Sequence, residues 1–167
     1  MSEDMGNMQI RHACMDDLEQ VSELERLCFP PAEAADREAF RARIRTYGNH
    51  FLLMFLEGRL ISFVNGFVTD LPDLTDPMFS DAGMHREDGA WQMIFGVNTH
   101  PDFRRRGFAG RLLREMIREA EDQGRKGLVL TCKEEKVHWY ASFGFLDEGI
   151  CSSQHGGAVW HQMRLTF

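Results

Sequence analysis

The chain is short of positive charge. Lysines and arginines number 19 against 26 aspartates and glutamates over 167 residues, a net charge of −7. General nucleic-acid binders rest on a broad basic surface, so this deficit excludes that class and favours small or cationic partners. Cysteine is scarce as well: Cys14, Cys28, Cys132 and Cys151 form neither a CxxC pair nor a Cys/His ligand spacing. That argues against a structural zinc site, so no metal is expected, and the four read as reduced, core or near-core thiols in a cytoplasmic protein. No apolar run approaches the ~20 residues of a membrane helix; the longest is "FLLMFL", Phe51–Leu56. The start, "MSEDMGNMQIRH", lacks the charged-then-apolar order of a signal segment. Repeats, low-complexity tracts and long linkers are missing too, so residues 1–167 are expected to form a single domain.

What is present is an ordinary globular composition, 43% hydrophobic and 27% charged. "MQIRHA" reads as a strand. "MDDLEQVSELERLC" places Leu18, Val21, Leu24 and Leu27 at helical spacing behind acidic capping residues. The prolines of "FPPAEAAD" break that helix, and "REAFRARIRTYG" predicts a second one stopped by Gly48. "FLLMFLEGRLISFVNGFVT" predicts two strands around a Glu57-Gly58-Arg59 turn. Asp70 to Asp88 reads as a long irregular, acid-rich stretch that suits a wall for a cationic substrate or a solvated loop. "AWQMIFGVNT" predicts a strand, "GRLLREMIREAEDQG" an amphipathic helix closed by Gly124, and "GLVLTC" a strand buried on both faces. A short helix at "EKVHWYASFG" and strands at "FLDEGICS" and "AVWHQMRLTF" complete the order. This order implies an α/β (α+β sandwich) fold, a mixed sheet with helices packed on it, and not a doubly wound nucleotide fold.

Between a strand and a helix lies "DFRRRGFAGRLL". A helix start offers unpartnered N–H groups and a partial positive charge, and is therefore a ready anion site. Gly107, Ala109 and Gly110 let a bulky anion approach the main chain, while Arg104, Arg105 and Arg106 add charge at the mouth. A pyrophosphate fits such a cradle. The spacing is neither GxxxxGK[ST] nor GxGxxG, which excludes a P-loop and leaves a dinucleotide fingerprint unsupported. A solvated basic helix start is the plainer alternative.

Arg104-Arg105-Arg106-Gly107-Phe108-Ala109 resembles the Arg/Gln-x-x-Gly-x-Gly/Ala motif of the GCN5-related N-acetyltransferase superfamily, whose element order the whole chain shares. The resemblance implies a mixed, mostly antiparallel central sheet, splayed at the acetyl-CoA strand, with helices on both faces. It implies acetyl-CoA as cosubstrate, held by the main chain of Val97, Asn98 and Thr99 along the pantetheine arm and by Arg104 through Gly110 at the pyrophosphate. "VHWYASFGF" matches the family's Tyr before Gly-Phe and makes Tyr140 the proton donor to the leaving thiolate, a role for a phenol protonated at neutral pH. A core aromatic is the alternative role of Tyr140. "CFPPAEAAD" and "TCKEEKVHWYASFGF" are similar to the arylalkylamine N-acetyltransferase branch, although Met93 and Phe95 stand where its vertebrate members carry a His-x-His pair. The histidine relay of those members therefore does not carry over.

For the general base, the same resemblance points to Glu33, with His138, His155 and a water chain as rivals. Phe29, Phe67, Phe79 and Trp91 are candidates to line an aromatic-amine pocket, or else core residues. The chain is thus expected to be an N-acetyltransferase. Its substrate would be a small primary amine, arylalkylamine or polyamine, attacking acetyl-CoA directly. It would have no nucleic-acid or membrane partner, with a homodimer allowed. Protein or peptide amine acetylation and a non-catalytic acyl-CoA sensor are the alternatives.

Overall fold

The computed structural model describes residues 7–167; the polar, acidic start at residues 1–6 lies outside the described residues. The strands are β1 (Met8–His12), β2 (Phe51–Leu56), β3 (Arg59–Asn65), β4 (Val68–Thr69), β5 (Trp91–Ile94), β6 (Gly96–Thr99), β7 (Gly127–Cys132), β8 (Leu146–Ile150) and β9 (His161–Thr166). The helices are α1 (Leu18–Cys28), α2 (Arg37–Tyr47), α3 (Asp76–Ser80), α4 (Phe108–Asp122) and α5 (Glu134–Ala141). Strands pair in two sheets, β1-β2-β3-β6 and β4-β5-β7-β9-β8. The first is antiparallel throughout, and the second mixes antiparallel ladders with one parallel pairing, β5 against β7. The fold is therefore α/β with antiparallel and mixed sheets and helices. Among the described residues no helix is long and apolar enough to cross a membrane.

The chain divides into two compact units. The first holds the chain up to Asn65 together with Gly96–Met116, and the second holds Gly66–Phe95 together with Ile117–Phe167. In the first, Leu18, Val21 and Leu24 of α1 and Phe40 and Ile44 of α2 pack on Phe51, Leu53, Phe55, Leu60 and Phe63 of the sheet. Phe40 meets Phe63 edge-on, with centroids 5.7 Å apart and planes at 90°, an arrangement favoured by the ring quadrupoles. Leu27 departs from the helical pattern and is 57% exposed. At 100° per residue it lies half a turn away from Leu18, and Glu25 and Cys28 fall on the inward side instead. In the second unit Met93, Leu128, Leu130, Phe145 and Met163 are buried.

Several boundaries differ from expectation. The β2–β3 turn is the two-residue Glu57-Gly58 step, both with positive φ (53° and 76°), the handedness that matches strand twist. Gly48 ends α2 without a left-handed turn, at φ −54°; an added Cβ there would lie 2.9 Å from the Ala13 carbonyl oxygen, so close approach demands the glycine. "AWQMIFGVNT" is two strands, because the chain leaves one sheet at Ile94 and joins the other at Gly96. The Asp70–Asp88 stretch contains α3 and a 3-10 turn at Ala82–Met84, so it is not irregular throughout. Cys14 is exposed, unlike the buried Cys132 and half-buried Cys28 and Cys151; all four are free thiols.

Candidate active site

In the first unit, β6 pairs with β3 alone and forms the edge of its sheet. His100 N donates to Ile61 O, the step before the Ser62–Thr99 pair. In an antiparallel ladder the facing groups alternate, so positions 100, 98 and 96 turn their main chain to β3, and Val97 and Thr99 turn theirs to the open edge. The Thr99 carbonyl oxygen accepts from Cys28 Sγ at 3.3 Å and from Arg104 Nε at 3.1 Å. Val97 therefore carries the strand's outward N–H and C=O, while Asn98 engages β3 with its main chain and buries its side chain.

After a 3-10 turn at Pro101–Phe103 the chain reaches the arginine run. Arg105 has φ 62° and Gly107 φ 82°. Successive N–H groups in turns with such left-handed residues form an anion-binding concavity. Helix α4 starts at Phe108, and the N–H groups of Phe108, Ala109 and Gly110 belong to its first turn, where no partner exists within the helix. Space beside Gly107 is open, with no protein atom within 4 Å of an added Cβ. The arginines divide their work: Arg104 holds the end of β6, the Arg106 guanidinium lies 5.6 Å from the Phe103 ring centre and 5.3 Å from that of Phe108, and Arg105 is exposed in the left-handed position.

Glu33 lies in the turn between α1 and α2, with its N–H donated to Pro30 O at 2.9 Å. It is half-buried, and its Oε1 is shielded from solvent. That turn is tied to β6 by a residue the sequence reading missed. Glu25, 6% exposed, accepts from Ala35 N at 2.8 Å and from Asn98 Nδ2 at 2.8 Å. The available signal was an acid on the inward side of α1, beside Leu18, Val21 and Leu24.

Tyr140, His138 and His155 belong to the second unit. Tyr140 is buried on α5 between Trp139 (4.9 Å, 74°) and Phe145 (6.0 Å, 76°). Burial, and then the neighbouring Cys132, push its phenol well above the ordinary value, so it is protonated at neutral pH. The Cys132 thiol is raised to about 12 by burial first, then by Asp147, Glu135 and Cys151, which leaves almost no thiolate to act as a nucleophile. His138 is exposed on α5. His155 stacks on Phe79 at 4.8 Å with planes 9° apart; Phe79 in turn meets Phe95 at 5.1 Å, and Phe95 meets Phe67 at 5.0 Å. His155 also meets Trp160 at 5.9 Å. Phe67 and Phe79 thus share an aromatic row, whereas Trp91 lies under the Arg164 guanidinium at 4.7 Å and Phe29 is half-buried in the first unit.

Five acids of the Asp70–Asp88 stretch accept hydrogen bonds or ion pairs within their own unit. Asp70 accepts from Ala90 N, Asp73 from Gln162 and Arg164, Asp76 from Ser153 and Gln154 N, and Asp81 from Gly83 N. Glu87 pairs with His85 and Arg125. These carboxylates are occupied in holding their own unit together.

A family model for the acetyltransferase (GNAT) family matches residues 18–145. Among solved structures, the loading GNATL domain of CurA from Lyngbya majuscula is 18% identical, with a TM-score of 0.82 over 95% of this chain and 97% of that one. A GphF GNAT-like decarboxylase in complex with isobutyryl-CoA is 20% identical, with a TM-score of 0.82 over 95% and 98%. The ribosomal-protein-S18-alanine N-acetyltransferase from Escherichia coli is 18% identical, with a TM-score of 0.70 over 95% and 93%. At such identities the likeness concerns the fold.

Proposed function

The chain belongs to the acetyltransferase (GNAT) family, and from that premise we propose that it transfers the acetyl group of acetyl-CoA to a small primary amine by direct attack. The observation that carries this reading is the turn at 104–110. Its left-handed Arg105 and Gly107 precede the first turn of α4, and it follows a strand whose Val97 main chain faces an open edge. In this reading the N–H groups from Arg105 to Gly110 take the pyrophosphate, and the main chain of β6 takes the pantetheine amides. Arg104 contributes by holding Thr99.

Glu33 accepts the proton that the ammonium must lose. The amine nitrogen then forms its bond to the thioester carbonyl carbon. As the C–S bond breaks the Tyr140 hydroxyl gives its proton to the sulfur, and the second proton lost by the nitrogen returns through solvent to the tyrosinate, leaving the amide and free CoA thiol. The raised pKa of Tyr140 supports its share, because the proton is in place throughout the neutral range. The protonated Cys132 supports direct attack over an acyl-cysteine relay. An arylalkylamine is the favoured acceptor, since Phe95, Phe79, His155 and Trp160 form a half-exposed aromatic row.

The test measures CoA thiol release from acetyl-CoA with tryptamine-like, phenethylamine-like, polyamine and peptide amines, and carbon dioxide release from a malonyl thioester. Turnover highest with the aromatic amines is expected. Turnover with peptides alone moves the reading to peptide acetylation. Release of carbon dioxide without acetyl transfer moves it to decarboxylation, and tight acetyl-CoA binding with no turnover makes the chain a sensor.

A further inference from the structure

Glu25 is a buried acid at a position of α1 where Leu18 and Val21 on the same side are apolar. Stability alone does not call for it. A buried carboxylate must recover a large desolvation cost through its hydrogen bonds, and well-packed apolar side chains commonly do as well or better. Its geometry points to another use, because its two oxygens reach in different directions. Oε2 accepts from Ala35 N, two residues after Glu33. Oε1 accepts from Asn98 Nδ2, between Val97 and Thr99 on β6.

The Asn98 amide has one workable orientation. A carboxylate oxygen accepts only, so Nδ2 must face Glu25. Asn98 is 1% exposed, and its buried Oδ1 has no hydrogen-bond partner. That oxygen lies at the gap left by Gly96, where an added Cβ would stand 3.3 Å from it and 3.6 Å from Asn65 Nδ2. A second contact from α1, Cys28 Sγ to Thr99 O, lies beside the first.

We propose that Glu25 is a positioning residue for acetyl transfer, one oxygen setting the turn that carries Glu33 and the other setting the strand that takes the thioester arm. This rests on the acetyl-transfer reading above. It makes Glu25 act through its neighbours, without touching the reacting atoms.

The experiment compares kcat, KM for acetyl-CoA and the pH dependence of kcat/KM in wild type, Glu25→Gln, Asn98→Asp and the double variant Glu25→Gln/Asn98→Asp, with thermal melts beside each. Glu25→Gln keeps an acceptor for Ala35 N but sets an amide donor against the Asn98 donor. A displacement of about an ångström in a catalytic constellation costs up to about 100-fold, so kcat is expected to fall about 10- to 100-fold and the acid limb of the pH profile to move. In the double variant the new amide donates to the new carboxylate while still accepting from Ala35 N, and activity is expected to return to within a few-fold of wild type. Glu25→Gln with wild-type kcat, KM and pH profile overturns the proposal. So does a double variant that melts like wild type but is no more active than Glu25→Gln. If Glu25→Gln fails to fold, the double variant decides alone. A wild type that releases no CoA thiol with any amine overturns the acetyl-transfer reading itself, and this inference with it.

Discussion

Arg11 clasps Asp17 with two guanidinium nitrogens at 2.8 and 2.7 Å, and Cys14 N adds a third donor at 2.8 Å. Burial alone would push this carboxyl up, but Arg11 and the Cys14 N–H outweigh it and hold the group below its ordinary value. A folded pKa below the unfolded one gives stability that is present above the unfolded value, near 4, and is lost as the pH falls through the folded value. Asp17→Asn is therefore expected to cost about 1–3 kcal/mol at pH 7, a gap that narrows below about pH 4; urea melts at pH 7 and pH 3 check both halves. Tyr140 has the opposite shift, raised by burial and by Cys132, and stays protonated past its ordinary value of about 10. Replacing it by phenylalanine is expected to lower kcat about 100-fold, with no alkaline decline of the wild type below about pH 10 that belongs to this residue. A decline between pH 8 and 9 that disappears in Tyr140→Phe would contradict the raised pKa, and a Tyr140→Phe variant with wild-type kcat would remove the residue from its role. Tyrosine before Gly-Phe was legible in the residues; the surroundings that keep its proton in place were not, since Cys132 and Phe145 reach it only through folding.

At the scale of elements, α2 begins at Asp36, whose Oδ1 accepts from Ala39 N at 2.8 Å with the residue itself extended at φ −89° and ψ 176°. Asp36→Ala removes that cap and is expected to cost about 1 kcal/mol, read as a lower urea midpoint. The turn before α4 carries a sharper prediction. Gly107 is left-handed at φ 82°, where a β-branched residue is strained, and no neighbouring side chain or strand crowds it. Gly107→Val is expected to abolish acetyl-CoA binding by calorimetry, whereas Arg106→Gln only weakens it; unchanged binding in the valine variant means the cradle lies elsewhere. Helices α1, α2 and α4 were readable because apolar spacing repeats every turn, and Gly124, at φ 80°, closes α4 as its type predicts. Periodicity failed at Leu27, where counting apolar residues overlooked the angle between them, and at "AWQMIFGVNT", because a change of sheet leaves no mark in an unbroken apolar run.

For the molecule as a whole, a ligand bound only by the folded state stabilises it by mass action. Acetyl-CoA at a hundred times its Kd adds about 2.7 kcal/mol, and for a chain of this size that raises Tm by about 5–10 °C. A melt that does not move at saturating acetyl-CoA removes the cosubstrate from the scheme. Composition, element order and the arginine-glycine turn were decided by local rules: charge balance, helical period, and the small residues a main-chain anion site requires. Those were sufficient to indicate an α/β fold with an anion-binding turn before any contact was known; the acetyltransferase reading came from the resemblance of that turn and of the Tyr140 stretch to the family's motifs. Which main-chain groups of β6 face outward was a matter of register, and register comes from pairing with a strand more than 30 residues away. Asp70, Asp73 and Asp76 read in the sequence as a substrate wall or a solvated loop, and only the fold shows the donors they accept from. Glu25 drew no reading from the sequence, and only tertiary packing brings Ala35 and Asn98 to its two oxygens. Sequence determines what a segment favours by itself, while the destination of a buried polar group depends on which distant donor folding brings to it.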